Sequence, residues 1–555
     1  MLAPQLACSV ALAMPFAVLS DLFVNQSANC SVGDGTELTP FCTVTEALAV
    51  AADGDVIHIA PGVYGETVTA DVDVTMIGTA GRDVTIMDGL ASGSVITVPG
   101  DVILTIDGLT LQNGRGRGGG ITDYGTLTMR NSTIRDSQGS SPFGFGSAGG
   151  ITQLSQSGPL TLRNCTISGN RAGSYYYAGG GIRSVFGGDV TIVDCEFVDN
   201  RSNYASALSL GATRALISGS TFTGNDSVYG WTIATAGADF TMVNSTITEN
   251  QSGGLGVYGS TIPAGTSEVI GCTIAYNDLP LLSAGYGPNG LLNLTASPLI
   301  VTSTVVAGNV AAGTPRDAGG TFQSGGHNLI GVGGLQTSFQ NGVLGDQVGT
   351  LAAPLMPTLG PLQDNGGVTR TRALLPGSPA IGLGDPATTL ATDQRGLPRS
   401  LGANDIGAVR YSFGQLDQLC DAVPNSTGRP ADIFATGSPF AMDNDLVLTM
   451  ASMPTQSFGF FLISAGQGNF PQPGGASDGT LCLAQNLGRL IGPGQVRSSG
   501  PAGFISVVID LNNIPPGVGS MTNTPPGTTW HFQGWHRDPV GLGSNFSSAV
   551  GFTFL

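Results

Sequence analysis

The chain has 555 residues and a formal net charge of −18, with only 10% charged residues, and all 20 of its basic residues are arginine. An acidic chain without lysine or basic clusters argues against nucleic acid and anionic membrane surfaces as partners; it is compatible with a divalent cation such as calcium, though it gives no specific sign of a cofactor. At 41% apolar residues and 86 glycines it is too apolar for disorder and suits many short strands joined by tight turns.

Taken from the N-terminus, MLAPQLACSVALAMPFAVLSDLF is apolar from Leu6 to Leu19 and broken by Pro15. That stretch is too short to span a bilayer and suits an export signal over residues 1–24, and nothing else in the chain reads as a membrane span. Cys30 and Cys42 then flank a Gly-containing turn, and Cys420 and Cys482 share the last region; both pairs are expected as disulfides of an exported protein, secreted or held at the cell surface. A helix is expected at 43–52, capping the open end of a stack of coils that runs from about 55 to 345.

An eleven-residue phrase recurs within that stack: LTLRNCTISGN, VTIVDCEFVDN, ALISGSTFTGN, FTMVNSTITEN. Its sixth position, a small slot, is filled by Leu109, Ser132, Cys165, Cys195, Ser220, Ser245, Cys272 and Thr304, at steps of 23, 33, 30, 25, 25, 27 and 32 residues. A repeat of that length means a solenoid. Apolar residues alternate within the phrase and change phase near Asn164, so two short strands meet at a bend. Gly-rich apolar pieces such as GGGIRSV supply a third strand per coil. Stacked coils place like residues on like residues. Asn170, Asn200, Asn225, Asn250, Asn277 and Asn309, which close the phrase, are therefore expected as a structural amide ladder rather than as ligands or glycosylation acceptors. The slot cysteines are expected as small core residues rather than metal ligands, which would have to converge on a point.

This pattern resembles the right-handed parallel β-helix family, the fold of pectate lyases and of many bacterial surface proteins. Residues 357–411, with DNGGVTRTRALLPGSPAIGLGD and TDQRGLPR…DIGAVRY, resemble the choice-of-anchor segment that follows β-helices in secreted bacterial proteins. That resemblance implies a structural piece over 346–411 closing the C-terminal end of the solenoid. Asp393, Arg395, Arg399, Asp405 and Arg410 are expected to pair there, a catalytic cluster being the alternative. Residues 412–555 carry short apolar runs between Pro and Gly clusters, as an antiparallel β-sandwich does, and are similar to a C-terminal domain of exported bacterial proteins. Within TWHFQGWHRD, alternation sets Trp530, Phe532 and His536 on one face, more readily core than ligand site; His531 and Trp535 fall on the other. The whole chain is thus expected to be all-β: a right-handed parallel β-helix followed by an antiparallel sandwich.

The motifs of catalytic β-helices are missing: no Asn-Thr-Asp, Gly-His-Gly or Arg-Ile-Lys, no Asp-Pro-His-Asp and no calcium nonapeptide. Two surface stripes remain. Asp107, Arg130 and Arg163 precede the slot by two positions on neighbouring coils, with Arg135 and Glu196 near them. An Arg and carboxylate stripe suits a lyase-like site or, alternatively, cross-strand ion pairs. Tyr175, Tyr176, Tyr177, Tyr204, Tyr229, Trp231 and Tyr258 fall in loops of successive coils and suit stacking on sugars, docking a protein, or covering the core edge. These readings favour a non-catalytic, exported cell-surface or matrix protein that binds carbohydrate or a surface protein. A polysaccharide lyase or glycoside hydrolase with a divergent site is the alternative, and a ligand-free surface-layer component a third.

Overall fold

The computed structural model describes residues 20–554 apart from 31, 141–145, 174–177, 212–213, 237–238, 259–266, 280–289, 334–338, 376–377, 398, 400–403, 412–416, 421, 437–443, 445, 476, 502, 516–526 and 540. Three long parallel sheets form a right-handed β-helix. Sheet A has 12 strands, from Asp21–Val24 to Phe322–Gly326. Sheet B has 12, from Gly62–Gly65 to Gln347–Val348, and sheet C has 14. One coil shows the plan: Leu160–Arg163 lies in sheet A, Thr166–Ser168 in sheet B, and Arg171–Ala172 and Ile182–Val185 in sheet C. Strands pair in parallel with their counterparts one coil on, most of them in unbroken register, as Leu160 with Val190 and Thr166 with Glu196.

The bend between sheets A and B requires a left-handed residue. Asn131 (φ 50°), Asn164 (51°), Asp194 (55°) and Gly219 (61°) supply it in successive coils; Gly, Asn and Asp enter that region at least cost. The slot residue follows at once and points inward. Its side chain accepts the backbone N–H of the slot one coil back, as Ser220 Oγ does from Cys195 (3.1 Å) and Cys195 Sγ from Cys165 (3.4 Å). Cys165, Cys195 and Cys272 are buried free thiols, and burial pushes the Cys272 thiol up to about 12.

The phrase-closing asparagines are fully or almost fully buried. Each donates Nδ2–H to the Oδ1 of the next: Asn170 to Asn200 at 3.0 Å, and so on to Asn277 with Asn309 at 2.8 Å. Each Oδ1 also receives the backbone N–H of the preceding member. The run ends on Asp317, whose carboxylate accepts both N–H groups of Asn309 and the N–H of Val332. An acceptor-only group suits the last rung, where nothing further waits to accept. The solenoid interior is one apolar core from Val24 to Phe339, with Phe197 and Phe222 stacked at 4.8 Å.

Two expected boundaries need correction. The leader expected over 1–24 runs into the folded unit: Asp21–Val24 is the first strand of sheet A, and Val24 lies in the core. The capping helix is Val44–Leu48, shorter than 43–52. A capping box, Thr43 with Glu46, starts it, and the Asp55 carboxylate takes the N–H of Ala52 to turn the chain into the next strand, which ends the helix early. The Cys30–Cys42 disulfide fixes this cap.

The segment after residue 348 forms a strap along the outer face of sheet B, where closure of the C-terminal end was expected. It touches coil after coil: Glu196 through Arg370, Thr221 and Thr246 through Gln394, Asn244 through Arg399, Thr273 through Ala408, and Ser303 through Gly407. Leu374, Ala380, Ile406 and Tyr411 add an apolar cluster on Val305, Ala307 and Leu329. Two of its buried carboxylates are satisfied within the strap itself. Asp393 meets Arg395 at 2.7 Å, and the Asp405 carboxylate takes the N–H groups of Gly382 and Tyr411.

The C-terminal region holds antiparallel sheets of six and three strands around one core that includes Met450, Phe461, Val507 and Phe532. Cys420–Cys482 is a disulfide here. Trp530 and Phe532 lie in that core, His536 is buried, and Trp535 packs on Phe460 outside it. His531 is buried as well.

Candidate binding face

The residues expected to carry chemistry do not form one constellation. Asp107, Arg130 and Arg163 are neighbours in register on sheet A. Arg130 Nε donates to Asp107 Oδ2 at 2.8 Å, and Asn131 Nδ2 to Asp107 Oδ1 at 2.9 Å. Asn164 Nδ2 continues the chain to Asn131 Oδ1 at 2.8 Å, and Arg82 donates to the Asn164 carbonyl at 3.0 Å. Arg163 lies on the exposed face, and among the described residues it closes no ion pair. Arg135 and Glu196 belong to sheet B, across the bend, and are otherwise engaged. Arg135 donates twice to Gln112 Oε1, and Glu196 is held by Arg370 of the strap through both its guanidinium and its N–H. The bend separates them from the sheet A stripe because the slot turns the chain between the two positions.

The aromatic stripe divides. Tyr175, Tyr176 and Tyr177 lie outside the described residues. Tyr204, Trp231 and Tyr258 pack on one another with ring centroids 5.6–6.2 Å apart, and Trp231 is buried over Gly256. Tyr229 is exposed. The rings thus cover the outer side of sheet C more than they offer open faces.

Sequence reasoning passed over the threonines. Thr75, Thr105, Thr128, Thr161 and Thr191 stand in register on sheet A, one per coil. All are half-buried, and their hydroxyls make no hydrogen bond among the described residues. Leu216 interrupts the row and Thr241 resumes it. A second row on sheet B, Thr221, Thr246 and Thr273, is buried under the strap. There Thr221 Oγ1 donates to the Arg370 carbonyl (2.6 Å), Thr246 Oγ1 to Gln394 Oε1 (2.6 Å), and Thr273 Oγ1 accepts from Ala408 N–H (3.0 Å). The signal was legible as the Thr of LTID, LTMR, LTLR and VTIV. Stacked hydroxyl rows grip an extended chain on one face of this solenoid and stand open on another.

The fold and this face define a right-handed parallel β-helix protein. Residues 74–232 and 177–306 match the family model described as "Right handed beta helix region". Among solved structures, pectate lyase Pel9A is similar at 14% identity and TM-score 0.40, over 71% of this chain and 97% of that one. A rhamnogalacturonan lyase is similar at 12% identity and TM-score 0.32, over 70% and 96%. Pectin methylesterase PemA from Erwinia chrysanthemi gives 15%, 0.27, 46% and 78%. No curated protein matches the sequence. No helix among the described residues is long and apolar enough to cross a membrane, and no cluster of His, Cys, Asp and Glu among them is arranged to hold a metal ion.

Proposed function

We propose that the protein is an exported, non-catalytic binding scaffold of the cell surface or matrix, and that sheet A holds an extended polysaccharide. The observation that carries this is the row Thr75, Thr105, Thr128, Thr161 and Thr191, whose hydroxyls have no partner among the described residues. Coils repeat at about 4.8 Å, close to one sugar unit of an extended glycan, so each unit meets a fresh hydroxyl. Arg130, Arg163, Asn131 and Asn164 line one edge of the row with donors suited to sugar hydroxyls or uronate carboxylates. The engagement of Asp107, Arg135 and Glu196 by structural partners favours binding over cleavage. A lyase or hydrolase is the second reading, favoured by Arg163, the arginine of that edge with no ion pair among the described residues.

The test is retention of the full chain on immobilised uronic-acid and neutral polysaccharides, with product formation followed in parallel. Retention without products, lost in the double variant Thr128→Val, Thr161→Val, supports the scaffold. Products that vanish in Arg163→Ala sink it in favour of an enzyme.

A further inference from the structure

The inward side of sheet C carries a column that begins and ends apolar. Val98 is followed in register by Asp123, Gln153, Ser184 and Leu210. Val98 and Leu210 belong to the solenoid core. Asp123 and Gln153 are fully buried between them, and Ser184 nearly so. Asp123 Oδ1 accepts the N–H of Gly125 at 3.0 Å, which shapes the corner toward sheet A. Its other oxygen, Oδ2, has no hydrogen-bond partner among the described residues, and neither has Gln153 Oε1 or Ser184 Oγ. The Gln153 amide cannot simply turn over, because its Nε2 donates to the Gly158 carbonyl at 2.8 Å. Two bare acceptors therefore occupy neighbouring coils in an apolar interior, where neither an ionised carboxylate nor an unpaired amide oxygen is stable.

We infer that Asp123 is a proton-binding site: the folded solenoid keeps its carboxyl neutral, and the proton on Oδ2 is donated to Gln153 Oε1. One proton serves both acceptors and needs no room, which matters in a close-packed core. Among the described residues nothing charged faces the site. The strands on either side, Ile96–Val98 and Ile151–Gln153, carry no ionisable side chain, nor does the corner at 154–158. In the turn 99–102, packed on Gly125, Asp101 is exposed. On the strand of Ser184, Arg183 alternates to the outer side. Burial alone pushes the Asp123 carboxyl up, to about 7, against the Gly125 hydrogen bond, which pulls it down. A carboxyl raised on folding contributes stability that is full below its unfolded value, near 4, and is lost as pH rises through about 7.

The test compares thermal unfolding of the full chain and of Asp123→Asn from pH 4 to 9. Asparagine presents an N–H where the acid holds its proton, keeps an oxygen for Gly125, and does not titrate. From about pH 4 to 7 the wild-type folding equilibrium should fall relative to the variant by up to about 10³-fold, then run parallel to it. Parallel curves throughout, or a variant less stable than wild type at pH 8, would overturn the inference. A wild-type midpoint at pH 8 that drops on adding chelator would assign a cation there and overturn it too. Should the variant not fold, infrared spectroscopy of the wild type at pH 6 decides. A protonated-carboxyl band that moves to higher frequency in Gln153→Met supports the site, and a missing or indifferent band refutes it.

Discussion

Replacing Arg372 by alanine probes how the strap is held to sheet B. The Arg372 side chain is only 7% exposed, with Nε donating to Thr248 Oγ1 and Nη1 to the Gly360 carbonyl, both at 2.7 Å. The guanidinium also pairs with Glu249 and sits 4.7 Å over the Tyr276 ring. Hydrogen bonds to a charged group are worth about 1.5–3 kcal/mol each. The Glu249 pair adds little, because that carboxylate is 51% exposed and screened. The cation–π contact adds about 1 kcal/mol. Because the Gly360 bond lies within the strap and burying the guanidinium itself opposes these gains, the expected net loss in docking is about 2–3 kcal/mol, or about 30- to 150-fold in strap opening. Hydrogen exchange should show that factor on the strap amides around Thr371–Leu374, with the amides of coils such as Leu160–Arg163 unchanged. Arg370→Ala should cost less, about 1 kcal/mol, because Arg370 is 39% exposed. Equal protection in wild type and Arg372→Ala, or the larger effect at Arg370, would refute docking of the strap on this flank.

Phe222→Ala removes a fully buried ring stacked on Phe197 and should destabilise the solenoid by about 3–5 kcal/mol in denaturant unfolding; a loss under 1 kcal/mol would mean that the coil collapses onto the space. Asn225→Asp, nearly isosteric, should cost at least about 2 kcal/mol above neutral pH. It removes the N–H groups that serve the carbonyl of Phe197 and Oδ1 of Asn250 and sets a carboxylate oxygen against them, so an unchanged unfolding midpoint would refute the directional ladder.

The solenoid was legible because stacking turns a structural need into a repeated letter. The inward slot must be small, the bend needs a left-handed residue, and the buried corner needs an amide that both donates and accepts. Each demand recurs every coil and so shows in one sequence. The strap was legible as a segment but not in its placement, because Arg370 meets Glu196 across 174 residues and no local period reports such a contact. The separation of Arg135 and Glu196 from the sheet A stripe depends on which side of the bend a residue falls, and counting back from the slot does not settle that for residues after it. The sheet A threonines drew no notice in the sequence, since β-branched side chains favour strands whatever they bind. The start of the first strand was hidden because DLFV follows directly on the apolar N-terminal run.

Three faces of one solenoid meet three different fates, and the differences bear on function. On sheet B the threonine hydroxyls, one per coil, bind the strap through a carbonyl, an amide and an N–H. On sheet C the outer side is covered in its middle coils by the Tyr204, Trp231 and Tyr258 cluster. On sheet A the matching row from Thr75 to Thr191 has no such cover among the described residues. Beside it stand Arg130, Asn131, Arg163 and Asn164 with two carboxylates, Asp107, which already accepts from Arg130 and Asn131, and Asp194, which takes the place of Asn164 one coil on. Arg163, with no ion pair among the described residues, beside a line of hydroxyls suits a ligand rich in oxygen acceptors, repeating at the coil spacing. A polysaccharide meets both conditions. An extended peptide meets the first less well, because half of its backbone groups are donors, and that asymmetry makes glycan retention the discriminating measurement for this face.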